Sequence, residues 1–354
     1  MRGLTSAATH KSVKSGQPEP VRHSAGPDPV VAVRPVNWLN PAMQHDPQPR
    51  RVFLQHTTLA AAGLFAGPLV GHAASRKGLH LATNAYSWHV FYQREGRDFG
   101  ASLDTGLKDV AASGLQGFEP GVGGAEEIKK LIPLLRQHGL EMRSIYVNSS
   151  LHEPAEADRS IEQILAVARE VRPAGTRIIV TNPNPIRWGG AENKTDAQLR
   201  TQAAAMDRLG KELAGSKMTL AYHNHDIELR QAAREFHHMM AGTDPRYVTL
   251  CLDAHWIYRG CGNSQVALFD IVKLYGTRVS ELHLRQSKNG IWSETFEDGD
   301  IDYTALAEAL AKARVKPHLV LEVAVENGTP KTLSPVEAHR RSAEYARRIL
   351  APLA

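Results

Sequence analysis

From Gly78 onward the chain repeats one unit: a short apolar run, then a stretch with Leu and Ile at three- and four-residue spacing. The runs are LHLATNAYSW (79–88), LQGFEPG (115–121), EMRSIYVN (141–148), TRIIVTNP (176–183), MTLAYHNH (218–225), VTLCLDAHW (248–256), VSELHLRQ (279–286) and HLVLEVAV (318–325). Such runs suit strands buried on both faces, and the intervening pattern suits amphipathic helices. AEEIKKLIPLLRQHG, SIEQILAVAREV, DAQLRTQAAAMDRLGKELAG and YTALAEALAKARV are the expected helices, with Gly139, Gly210 and Gly215 as breakers. Eight strand–helix units over about 275 residues are the count and size of an α/β chain folded as a (β/α)8 TIM barrel. An open doubly wound sheet is the rival. No G-x-G-x-x-G opens the first strand–helix turn and there is no P-loop, so the barrel is preferred.

In a barrel the chemistry gathers at the C-terminal strand ends, and residues two apart share a face. The second run offers Glu119, the fifth His223 and His225, the sixth Asp253 and His255, the seventh His283 and Arg285, the eighth Glu322. Singly, a histidine there is more often a hydrogen-bonded structural residue than a ligand. Jointly, several imidazoles and carboxylates buried in one place need a positive partner, because their desolvation is costly. Nitrogen and carboxylate donors suit Mn²⁺, Co²⁺, Fe²⁺ or Zn²⁺ better than Ca²⁺. A divalent metal is therefore the expected cofactor.

YHNHDIEL, LDAHW, HLRQ, FEDGDIDY and LEV, falling in order on strands five to eight, resemble the xylose isomerase-like barrels of the sugar phosphate isomerase/epimerase family. That group includes inosose dehydratases, hydroxypyruvate isomerases and ketose 3-epimerases, and the resemblance covers roughly residues 78–350. It implies a metal held by Glu, Asp, His and Glu from strands five to eight. Asp253, His283 and Glu322 match the last three, and His223 stands where the first Glu would be. The seventh-strand motif, often His-x-Lys-Asp in relatives, reads His283, Leu284, Arg285, Gln286 here. His225, Glu119 and His255 are expected as acid/base or hydroxyl-binding groups, and Arg285 as the holder of a substrate oxygen or anion. Trp88, Tyr146, Trp256 and Trp292 are candidate walls for a sugar ring.

Epimerases and isomerases of the group use two carboxylates on opposite faces of the sugar. With His223 replacing one, that symmetric exchange loses a partner. Proton abstraction beside a carbonyl remains available, with histidine as a competent base near pH 7. The expected function is a metal-dependent isomerase/epimerase-like enzyme acting on an unphosphorylated sugar, cyclitol or keto-glycoside. The alternatives are a 3-keto-glycoside lyase or hydratase, an inosose dehydratase-type lyase, and a non-catalytic carbohydrate-binding barrel.

Charge bears on partners and destination. The chain has 42 Lys and Arg against 37 Asp and Glu, and residues 1–75 hold seven and three of these, which leaves 35 against 34. A near-neutral barrel argues against a nucleic-acid partner, and so against a nuclease built on the same fold. Arg50 and Arg51 open RRVFLQ, followed by TTLAAAGLFAGPLVGHAAS with small residues around Ala73 and Ala74. This reads as a twin-arginine export signal. Its apolar run of about 15 residues is short of the roughly 20 needed to span a membrane.

Residues 1–42, rich in Pro, Ser and charge, read as disordered or as an extension of the gene model. Met43, seven residues before the arginine pair, is then the natural start. The expected plan is an extension (1–42), a signal peptide (43–75) and a barrel (76–354) that is periplasmic or otherwise exported. The expected partners are the twin-arginine machinery and a small carbohydrate, with no membrane span after cleavage and with homo-oligomerisation left open. Cys251 and Cys261 are too few for a disulfide scaffold. GVGG (121–124) reads as a tight turn rather than a phosphate cradle, which supports an unphosphorylated substrate.

Overall fold

Burial on both faces is what the apolar runs deliver. The computed structural model describes residues 78–354. The expected extension, the signal peptide and the start at Met43 lie outside the described residues. The first seven runs become strands β1 (Leu81–Asn84), β2 (Gly117–Glu119), β3 (Ser144–Tyr146), β4 (Ile178–Thr181), β5 (Thr219–His223), β6 (Val248–Asp253) and β7 (Val279–Leu284). A hairpin of β8 (Ser287–Lys288) and β9 (Ile291–Trp292) follows, and the eighth run becomes β10 (His318–Leu321).

The barrel strands pair in the order β2-β1-β10-β7-β6-β5-β4-β3, every pair parallel. The ring closes between β2 and β3 through isolated bridges only. There Phe118 N–H donates to Glu141 O and Tyr146 N–H to Pro120 O, each at 2.9 Å. The fold is a (β/α)8 TIM barrel.

Alternation along each strand sorts side chains into two layers. On β5, Leu220 and Tyr222 join the large core between strands and helices, while Ala221 joins a small inner core with Val180 and Cys251. His223 continues the inner row. Register then aligns the polar ends: His223 lies opposite Cys251, Asp253 opposite His283, and His283 opposite Val320.

Three local readings need correction. The first apolar run is a strand only to Asn84, whose side chain accepts from Tyr86 N–H and starts a helix over Ala85–Arg94. Trp88 is therefore helical and fully buried, its ring stacked on His339 with centroids 4.2 Å apart. It belongs to the core and walls no site. Gly210 does not break its helix, which runs Asp196–Gly215 behind a Thr195–Gln198 capping box. A Cβ at Gly210 would collide with the Tyr247 carbonyl, so close packing requires the glycine. Among the described residues, no helix is long and apolar enough to cross a membrane.

Candidate active site

Four strand ends bring their polar groups to one place. One ligand atom each from His223, Asp253, His283 and Glu322 lies within 4.8 Å of the others, and all four residues are buried. His223 Nε2 is 3.8 Å from Asp253 Oδ2 and 3.9 Å from Glu322 Oε2, and it has no hydrogen-bond partner. His283 Nδ1 meets Glu322 Oε2 in a short contact. The expected metal set thus converges. Glu322 is the residue just past β10, whereas Asp253 closes β6 and caps the next helix, accepting from Trp256 N–H at 2.9 Å. One oxygen of Asp253 serves the fold and the other faces the site.

Protonation follows from these surroundings. Burial, then His283, His225 and Arg285, push His223 well below the ordinary histidine range, so its ring is neutral. Burial also works against a charged His283, but Cys251, Glu119 and Glu322 outweigh it and raise that pKa well above ordinary. Burial raises Asp253 to about 6 against the pull of Arg285. Glu322 ends below the usual carboxylate range, because Arg285 and His283 overcome its desolvation.

Beneath His283 lies a second pair of carboxylates. Its Nε2 is 3.0 Å from Glu281 Oε1 and 3.2 Å from Glu119 Oε1. Glu119 is fully buried and accepts from Asn84 Nδ2 and Ser144 Oγ, each at 2.6 Å. Against its desolvation, His283 and hydrogen bonds from His283, Glu281 and Ser144 hold it at about 2, while burial and Glu119 push Glu281 well above the ordinary range. Glu119 was expected to act directly as an acid, a base or a hydroxyl-binding group. The structure places it beneath His283, where a carboxylate fixes the orientation of the imidazole. Glu281 was not singled out, although it precedes His283 by two residues and shares its face.

Arg285 stands just beyond β7 and is 1% exposed. Its Nη2 donates to Asp253 Oδ2 and Glu322 Oε1, each at 3.0 Å, and its Nε and Nη1 are buried without partners. The guanidinium carbon lies 5.0 Å from the Trp256 ring and 4.7 Å from the Trp292 ring. The two tryptophans thus flank the guanidinium. Tyr146 also lines the site, its hydroxyl 3.5 Å from His223 Nδ1.

His225 follows the end of β5, with its ring 4.8 Å from that of His223 and 5.6 Å from Trp256. Burial lowers its pKa to about 4, and its Nδ1 has no partner. His255 does not end β6 as expected; it lies in the helix Ala254–Gly260. Period-two spacing stops at Asp253. The His255 ring packs against Tyr258 and Trp292, and burial, then Arg285 and Arg259, depress it to about 2.

Glu228 is a buried group that sequence spacing had no means of finding, because it lies in a 3-10 turn after β5. Its Oε2 accepts from His225 N–H at 2.7 Å and its Oε1 from Asn182 Nδ2 at 3.1 Å; Asn182 Nδ2 also donates to His223 O at 3.0 Å. Asn182 and Glu228 thus set the backbone that carries both histidines.

A TIM barrel with imidazoles and carboxylates gathered at its C-terminal strand ends is the class that this geometry defines. The chain belongs to the xylose isomerase-like TIM barrel family, whose profile matches residues 107–349. It is 22% identical over 273 residues to the inosose dehydratase of Mesomycoplasma hyopneumoniae (strain 7448), covering 70% of this chain and 89% of that protein. Its fold is similar to that of a sugar phosphate isomerase/epimerase from Parabacteroides distasonis, with TM-score 0.60 and 17% identity over 81% of this chain and 99% of the other. A similar fold is found in the 3-keto-D-glucoside 4-epimerase of E. coli, with TM-score 0.55 and 14% identity over 76% of this chain and 99% of the other.

Proposed function

We propose that the chain is a divalent-metal-dependent enzyme that removes a proton beside the carbonyl of an unphosphorylated sugar, cyclitol or keto-glycoside. The convergence of His223, Asp253, His283 and Glu322 carries this reading. The residues fit an ion on two counts. His223 Nε2 is a buried, neutral, unpartnered donor facing two carboxylates. In addition, the anions Glu119, Asp253 and Glu322 outnumber the cations His283 and Arg285, and a divalent ion replacing the His283 proton restores the balance. The mixed imidazole–carboxylate set suits Mn²⁺, Co²⁺, Fe²⁺ or Zn²⁺. An ion held there supplies Lewis-acid stabilisation of developing negative charge.

The chain's own groups supply the rest. His225 is neutral at physiological pH with its Nδ1 unengaged, so it is placed to accept a proton. Arg285 has Nε and Nη1 free to hold a substrate oxygen while Nη2 stays on the carboxylates. Trp256 and Trp292 keep water from the guanidinium and offer a sugar an apolar wall.

Elimination or hydration beside a ketone suits this arrangement better than symmetric epimerisation. The nearby carboxylates are already engaged: Glu119 and Glu281 lie beneath His283, and Glu326 pairs with Arg259 and accepts from Trp292 N–H. His225 is the one imidazole at the site left outside the proposed metal set, which favours proton transfer on one face. Similarity to an inosose dehydratase supports the same direction.

Metal analysis and solvent-deuterium exchange with inosose, 3-keto-glucosides and free ketoses test the proposal. The expected result is one divalent ion per chain, lost in Asp253→Ala, and exchange with release of water or aglycone. A protein that binds no divalent ion and exchanges no proton would sink it. An exported location accords with the signal expected at residues 43–75, and N-terminal sequencing of the mature protein tests that part.

A further inference from the structure

The loop after β4 carries the sequence PNPIRWGG (183–190), and it exposes two large apolar residues two positions apart, Ile186 at 40% and Trp188 at 39%. Scattered exposed apolar residues need no explanation, and Val266 and Leu274 on the outer helix Gln265–Tyr275 are of that kind. Trp188 differs in its neighbour. Its ring makes a T-shaped contact with His225, centroids 5.1 Å apart and planes at 85°. It therefore stands next to the proposed proton acceptor, whose ring is 4.8 Å from that of His223.

The loop is held in place. Asn184 N–H donates to Ser149 O and Arg230 Nη1 to Gly190 O, each at 2.7 Å. Buried Lys194 pairs with Glu235 at 2.6 Å. Pro183 and Pro185 restrict the backbone further. An indole fixed in this way at the rim of a polar site loses little entropy on binding and offers a preorganised ring surface.

We propose that Trp188 is the platform of a second subsite, which takes a six-membered ring joined through a glycosidic oxygen to the sugar held at the ligand cluster. The inference rests on the reading of the site as a keto-sugar site and narrows it to glycosides. The shared chemistry is a flat ring face, carbohydrate or aryl, packed against the indole. Specificity for the leaving or linked ring then comes from this loop, and chemistry from the strand ends.

The test measures KM for solvent-deuterium exchange with three substrates: methyl 3-keto-β-D-glucoside, phenyl 3-keto-β-D-glucoside and 3-keto-cellobiose. Wild type is expected to show a KM about tenfold lower for at least one of the two-ring substrates than for the methyl compound. A gain with phenyl alone identifies an aryl aglycone, and with cellobiose alone a second sugar; either supports the platform. Trp188→Ala should erase the gain and leave the methyl compound's KM unchanged, whereas Trp188→Phe should keep most of it. Equal KM values for all three in wild type overturn the platform and leave the site reading standing, as does a loss in Trp188→Ala that is the same for all three. No exchange with any of them overturns the platform; exchange with inosose or a free ketose then leaves the site reading standing, and its absence there too sinks both.

Discussion

The two ends of the barrel each hold histidines with buried, unpartnered nitrogens, yet they are built for different things. At the N-terminal floor, His80 and His318 lie with ring centroids 5.4 Å apart, and both ring nitrogens of His80 and Nε2 of His318 lack hydrogen bonds. The carboxylate beside them, Glu141, is 3.5 Å from His80 Nε2 but largely solvent-exposed and bonded to Arg143. Burial and neighbouring arginines lower His80 to about 4, and burial with His80 lowers His318 to about 3. At the mouth, buried carboxylates around His283 drive its pKa the other way. An unsatisfied imidazole by itself is therefore no sign of a metal site; one that faces buried anions without enough cations, as His223 does, is.

The largest effect should fall on the mouth alone. Asp253→Ala or His283→Ala is expected to abolish ion binding and lower activity by about a thousandfold or more, the scale of Lewis-acid stabilisation. His318→Ala should leave metal content and turnover near wild type. Ion content that is unchanged in His283→Ala, or lost in His318→Ala, would break the contrast. Glu119→Gln tests the layer beneath the ligands, with metal affinity or activity expected to fall about 10- to 100-fold; no change would make Glu119 a mere occupant of the core.

Proton linkage sharpens the same contrast. Because its surroundings raise the pKa of His283, the ion must displace a proton there. Metal affinity should then rise about tenfold per pH unit until that pKa is passed. Calorimetry in buffers of different ionisation enthalpy would count the proton released, and affinity flat in pH would contradict the assignment.

The smallest effect concerns Glu228, which burial and Glu235 raise to about 7 despite the donors on it. Between the ordinary glutamate pKa and 7, the folded chain keeps a proton that the unfolded chain has lost. Stability from this group is present at low pH and fades as pH rises through 7. Between about pH 5 and pH 8, the melting temperature of wild type should drop a few degrees more than that of Glu228→Gln. Equal drops would show that Glu228 does not titrate in the fold.

The barrel and the cluster at its mouth were legible because both depend on period. Apolar runs separated by helical spacing count the strands, and the last inward residue of each strand falls where its neighbours' do, as with His223, Asp253, His283 and Glu322. Legibility stopped where strands stop. His255 looked like a partner of Asp253, but Asp253 caps a helix and turns the chain before His255. Trp188 and Glu228 lie in a loop and a 3-10 turn, where spacing says nothing of direction. Glu119 was recognised, but depth along a strand is not written in alternation, so its place beneath His283 needed the packed barrel.

The seam between β2 and β3 has a mechanical consequence. A ring of strands joined at one place by isolated bridges alone resembles a clasp, and that is where local opening is expected first. One side of it is the strand carrying Glu119, which props His283 from below. Occupying the mouth should therefore draw the clasp shut from a distance. The amides of Phe118 and Tyr146, which bond across the gap, are where deuterium uptake would report a full or an empty site.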